Sequence, residues 1–112
     1  MKKVECITRP LRLEAVKEAL AACGVSGMTV TEVHGCGRQG GRTQEGGGDP
    51  ASLLLPKVKV EAVIPDDKVE AVMTALADAA RTGQVGDGKV FVLPVEEALR
   101  VRTGERGDAA LT

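Results

Sequence analysis

Aromatic side chains are almost missing from this chain: among 112 residues there is no tryptophan, no tyrosine and one phenylalanine, Phe91. The core must therefore be aliphatic. Histidine is as scarce, with only His34, which reads as a surface residue at a strand end. No carboxylate pair, Ser/His/Asp set or Cys/His pair falls at a recognisable spacing, so catalysis has no obvious agent and an enzyme is not expected. The cysteines Cys6, Cys23 and Cys36 are odd in number, far apart and without a CxxC pair, which argues against a disulfide framework and against zinc. They read as small buried hydrophobes. No apolar run reaches the ~18 residues needed to span a bilayer, and no signal-peptide core is evident. A soluble, cytoplasmic protein is expected, with no direct membrane insertion. A dominant charge is also lacking: 15 Lys and Arg against 16 Asp and Glu leave a formal net charge of -1. That excludes the overall basic field of non-specific nucleic-acid binding, so no nucleic-acid partner is expected and any cationic site is local.

The length fits a single domain, residues 1–112, able to bury about two thirds of its unfolded surface without staples. Hydrophobic spacing divides it into elements. Met1 to Arg9 is a short strand carrying Val4, Cys6 and Ile7. Pro10 then opens a helix with Leu13, Val16, Leu20 and Cys23 at helical spacing, closed by Gly24. Met28 to Val33 is rich in β-branched residues and reads as a second strand. Lys57 to Ile64 alternates, with Val58, Val60, Ala62 and Ile64 on one face and Lys57, Lys59 and Glu61 on the other, the pattern of a half-buried strand. Asp66 is placed to cap a second helix with Val69, Val72, Met73 and Leu76, ended by Gly83. Val90 to Leu93 reads as a buried final strand.

The order is β-α-β-β-α-β, and the halves echo each other: LEAVKEALA at Leu13–Ala21 and VEAVMTALA at Val69–Ala77 agree at six of nine positions. This indicates an α+β, ferredoxin-like split βαβ fold. One sheet face would be covered by helices and the other left bare with mixed apolar and polar side chains, which implies oligomerisation. Between strands two and three lies a glycine-rich stretch, about residues 36–55, with seven glycines between Gly35 and Pro50. So long a loop in a small domain is functional or a tolerated insertion. Its composition suggests a segment that orders on a ligand or partner, and Leu53-Leu54-Leu55 argues against a purely solvating role.

The richest stretch is RTGQVGDGKVFVLPVEEALRVRTGERG, from Arg81 to Gly107. Gly83, Gly86 and Gly88 can turn backbone N–H groups inward, while Lys89, Arg100, Arg102 and Arg106 supply cations for polyanionic oxygens. Gly83 to Lys89 fits G-x-x-x-x-G-K, but Val90 stands where a magnesium-binding Ser or Thr belongs. The turn also leaves a helix and enters a strand, the reverse of a P-loop. It is thus a donor-rich turn with one lysine, not a P-loop. Arg100 and Arg102, two apart, would face one side of an extended segment. Gly35-Cys36-Gly37-Arg38-Gln39 is a second flexible, cationic turn. Gln39 and Lys57 bracket the long loop, either as solvated edge residues or as an amide and an ammonium able to hold a metal-bound dicarboxylate.

Taken together, GMTVTEVHGCGRQGG at Gly27–Gly41, LPKVKVEAVIPDD at Leu55–Asp67 and the Ala80–Gly107 stretch resemble the PII nitrogen-regulatory signalling family over nearly the whole chain. The resemblance implies a ferredoxin-like homotrimer with nucleotide sites in clefts between subunits. It also implies a T-loop at about 36–55, a nucleotide-binding turn at 81–89 and a C-terminal loop at 95–112. Residues matching the family's ATP and ADP contacts are Thr29, Gly35, Gly37, Arg38, Gly86, Asp87, Gly88, Lys89, Arg100 and Arg102. Gln39 would be a magnesium ligand beside ATP, with 2-oxoglutarate chelating the same ion and Lys57 pairing with its distal carboxylate. Partners would be a membrane transporter, such as an ammonium channel, or a nitrogen- or carbon-metabolism enzyme. Two departures stand out. The tip Gln44–Ala51 lacks the tyrosine that the family uridylylates, which excludes that modification, and Gly40 replaces a lysine, removing a charge from the metabolite site. Ser52 has no context that argues for phosphorylation.

Four readings follow. The first is a non-catalytic sensor of ATP, ADP and 2-oxoglutarate. The second is a specialised sensor of adenine nucleotides and another small anion, favoured by Gly40 and opposed by Gln39 with Lys57. A slow ATPase lacks a general base. A bare trimeric scaffold such as a metal-tolerance protein leaves Lys89, Arg100 and Arg102 unexplained.

Overall fold

The computed structural model describes residues 1–37 and 54–112. The body of the expected T-loop, with Arg38, Gln39, Gly40 and Ser52, lies outside the described residues. The elements run β1 (Lys2–Thr8), α1 (Leu13–Ala22), β2 (Thr29–Gly35), β3 (Leu55–Ile64), α2 (Val69–Ala80) and β4 (Lys89–Pro94). The sheet order is β2-β3-β1-β4, with each neighbouring pair antiparallel. This is the ferredoxin-like βαββαβ arrangement that the two echoing halves indicated.

Both helices lie on one face of the sheet, because that is where each element turns its apolar stripe. Val4 and Cys6 of β1 and Val60, Ala62 and Ile64 of β3 pack with Val16 and Leu20 of α1 and Val72 and Leu76 of α2, all of them buried. Strict alternation along β3 buries Val58, Val60, Ala62 and Ile64 and sends Lys57, Lys59 and Glu61 to the other face, as period two requires. Gly24 closes α1 with φ of +79°. The Val25 N–H then reaches Leu20 O at 3.1 Å and the Gly24 N–H reaches Ala21 O at 3.0 Å, the paired bonds of a Schellman cap. Val25 and Leu20 meet in the core beneath it.

Several local expectations are corrected. Pro10–Arg12 is a 3-10 turn ahead of α1, not part of the helix. Asp66 makes no cap bond to α2; its carboxylate instead meets the Met1 ammonium at 2.9 Å and Lys2 Nζ at 3.4 Å. α2 ends at Ala80, three residues before Gly83, because Arg81 already has extended backbone. β3 starts two residues earlier than the alternation suggested, at Leu55, opposite Gly35. β4 is not buried: as an edge strand it turns Val90 and Val92 toward the helices and leaves Phe91 45% and Leu93 37% exposed on the bare face. Cys6 is buried, with its thiol pushed up to about 11 by burial, but Cys36 is exposed.

The bare face carries a charge network along its centre. Lys3 Nζ lies 3.1 Å from Glu5 and 3.8 Å from Glu61, and Lys59 Nζ lies 3.1 Å from Glu61. Phe91 sits opposite Glu5 and Leu93 opposite Lys3, so an apolar margin runs beside the paired charges.

Candidate functional site

At one end of the sheet, where β2 leaves it and the α2–β4 turn enters it, lies a cavity of about 480 Å³. That volume is in the range of small-molecule sites. One wall is apolar, formed by Ile7, Leu55 and Phe91, and the other is the Gln84–Lys89 turn.

The turn is held by residues at the ends of two strands, Thr8 of β1 with the adjacent Arg9, and the cavity-lining Lys57 of β3. Three successive carbonyls accept side-chain donors: Val85 O from Arg9 Nη2 at 2.6 Å, Gly86 O from Lys57 Nζ at 2.9 Å, and Asp87 O from Thr8 Oγ1 at 2.8 Å. In a trans peptide the C=O and N–H point opposite ways, so the N–H groups of Gly86, Asp87 and Gly88 face away from these anchors. All three residues line the cavity. Consecutive N–H groups in a glycine-rich turn of this kind can form an anion-binding concavity.

Glycine is required at position 88. Its φ is +95°, and a Cβ there would stand 1.7 Å from the Ile7 carbonyl oxygen, so the turn can approach β1 only without a side chain.

Asp87 braces the same turn from within. Its carboxylate accepts the Thr82 N–H at 2.7 Å, the Gly83 N–H at 2.9 Å, the Thr82 hydroxyl and Arg9 Nε at 3.3 Å. The Thr82 hydroxyl, followed by the two backbone donors and Arg9, holds it well below the usual carboxylate range. A carboxylate so engaged is a poor proton acceptor at neutral pH. Burial, and then the nearby Arg9 cation, lower the pKa of Lys57, while Asp87 offsets part of the effect.

Of the expected site residues, Gly35, Gly37, Lys57, Gly86, Asp87, Gly88 and Lys89 line this one cavity. Thr29 is an exposed residue at the start of β2, opposite Glu61 and away from the cavity. Arg100 and Arg102 are not on an extended segment: the chain folds back between Leu99 and Arg106, with the Arg100 N–H on Glu105 O and the Gly104 N–H on Arg100 O, both at 2.8 Å. The Arg100 guanidinium pairs with Glu105 and with carbonyls of Ala109 and Thr112. Arg38 and Gln39 fall outside the described residues.

Sequence reading did not find Ile7, Phe91, Thr8 or Arg9. Phe91 carried a signal, since an aliphatic core had no need for a single aromatic. Thr8 and Arg9 carried none, because only the pairing of β1 with β4 brings them to the turn.

Comparison with known proteins bears on this arrangement. A family model described as "Nitrogen regulatory protein P-II" matches residues 1–105. The chain belongs to the P-II family. Among its relatives, the Nitrogen regulatory protein P-II of Cereibacter sphaeroides is 53% identical over 112 residues, covering 99% of this chain and 100% of the relative. Nitrogen regulatory protein P-II 1 of Escherichia coli K12 is 49% identical with the same coverage. Among solved structures, Arabidopsis thaliana PII bound to citrate superposes with a TM-score of 0.80 at 43% identity, covering 98% of this chain and 88% of that one. These relatives are named for regulation, not for a reaction.

Proposed function

We propose that this P-II family member is a non-catalytic sensor that binds ATP or ADP in clefts between the subunits of a homotrimer. One observation carries the reading. The Gln84–Lys89 turn, its carbonyls anchored by Arg9, Lys57 and Thr8, lines the cavity together with the apolar Ile7, Leu55 and Phe91, so its N–H groups and Lys89 would meet phosphate oxygens beside a surface suited to a purine. In the trimer, Thr29, Arg100 and Arg102 of a neighbouring subunit would complete the cleft, with Arg38 and Gln39 closing it from the loop.

Among the described residues no cluster of His, Cys, Asp or Glu is grouped to hold a metal ion. Magnesium would be held by nucleotide phosphates and the Gln39 amide oxygen. Lys57, which lines the cavity and donates to Gly86 O, would pair with the distal carboxylate of 2-oxoglutarate. The loop would then report nucleotide and metabolite occupancy to a transporter or metabolic enzyme. It can do so only to the extent that ligands differ in affinity for its conformations. The engagement of Asp87 with its own turn speaks against a slow ATPase, because the carboxylate that lines the cavity is committed to that turn rather than poised as a base. No helix among the described residues is long and apolar enough to cross a membrane, and a cytoplasmic location fits these ligands.

Gly40 favours the second reading, a sensor that answers to adenine nucleotides and a different small anion. The citrate in the related Arabidopsis structure is one such polycarboxylate.

Lys89→Ala tests the site. Loss of one charge-assisted contact should weaken ATP and ADP binding by about tenfold or more in calorimetry, with the sedimentation coefficient unchanged. Wild-type affinity in that variant would remove the site.

A further inference from the structure

We infer that Arg9 and Thr8, which line neither the cavity nor the expected contact set, are positioning residues for phosphate: they hold the turn's carbonyls back so that its N–H groups face the ligand. The inference rests on the nucleotide reading and adds the residues that shape its donor array.

Geometry supports it from two directions. Arg9 spans the turn, with Nη2 on Val85 O at 2.6 Å and Nε on Asp87 Oδ1 at 3.3 Å, so one guanidinium ties the backbone at 85 to the carboxylate at 87. Thr8 is fully buried, and its hydroxyl reaches the carbonyl of Asp87 at 2.8 Å. Rotating either anchored peptide plane would break a bond from a partly buried donor and re-aim the N–H of the same plane. Glycines at 86 and 88, with φ of +104° and +95°, leave such rotation cheap, so side chains outside the turn add rigidity to the brace that Asp87 supplies from within.

The arrangement also distinguishes Arg9 from a lysine. Only a forked guanidinium reaches both acceptors in a fixed plane, whereas an ammonium is a point donor on a flexible stem.

The test is calorimetric titration of the folded trimer with ATP–Mg, using Arg9→Met, Arg9→Lys, Thr8→Val and Thr8→Ser beside wild type, with thermal unfolding followed for each. Arg9→Met should bind roughly tenfold more weakly, Arg9→Lys should recover part of that, and Thr8→Val should lose several-fold where Thr8→Ser does not. Thr8→Val keeps the buried shape, so it remains informative if Arg9→Met fails to fold. Wild-type affinity in both Arg9→Met and Thr8→Val would overturn the inference while leaving the nucleotide reading intact. Equal losses in the conservative and the disruptive variants would also overturn it, since the hydrogen bonds would then not be the cause. A wild-type protein that binds no ATP would overturn both.

Discussion

At the scale of single residues, the site depends on where donors and acceptors are spent. Asp87 uses its carboxylate on Thr82, Gly83 and Arg9, so its ionised form is part of the folded turn. Its folded pKa lies below the ordinary 3.8. A depressed acid stabilises the fold above its unfolded pKa, and that contribution is lost as the pH falls through the folded one. Asp66 is lowered from 3.8 and Glu97 from 4.5 in the same direction, so all three act in one acid window that opens near 4.5. Asp87→Asn should therefore show a shallower fall in stability below pH 3.8 than wild type, read from urea midpoints against pH. An unchanged slope would mean that the carboxylate does not brace the turn. The glycines and Lys89 were legible in sequence because special backbone and charge mark them individually. The extended placement of Arg100 and Arg102 was misjudged because the fold-back that pairs Arg100 with Glu105, five residues on, is not revealed by a two-residue spacing.

At the scale of elements, the repeated LEAVKEALA and VEAVMTALA segments became α1 and α2 lying side by side on the sheet, because identical apolar spacing presents identical stripes. Helix ends were less legible. Asp66 looked like a cap but is drawn to the Met1 ammonium, and Gly83 looked like a stop although the chain leaves helical conformation at Arg81. In both cases a tertiary partner or a local dihedral overrode a propensity signal. β4 was judged by its apolar run, yet its edge position leaves one face open. The stripe itself carries the stability of the helical layer. Leu76, 1% exposed, packs in the shared core, so Leu76→Ala should cost about 2–5 kcal/mol in chemical denaturation. A change below ~1 kcal/mol would mean that α2 is not docked as described.

At the scale of the whole molecule, the sheet has a covered face and a bare one, and the bare one suits another copy of the chain. Its central charges are already paired, which lowers the cost of burying them, and Phe91 and Leu93 lie beside them. A homotrimer built on that face would explain why one chain gathers seven of the expected contact residues while Thr29, Arg100 and Arg102 sit elsewhere. The fold was legible from periodicity, whereas a site divided between subunits, as proposed, would leave only part of its geometry in any single chain.

The measurement that tests the account most directly is calorimetric titration of the purified protein with 2-oxoglutarate, in the presence and absence of ATP–Mg. Metabolite binding only when ATP–Mg is present is the predicted result, since on the proposed reading the metal and the nucleotide would complete the metabolite's site. Failure to bind ATP–Mg at all would contradict the central claim, and nucleotide binding without any metabolite response would transfer the account to a sensor of a different anion.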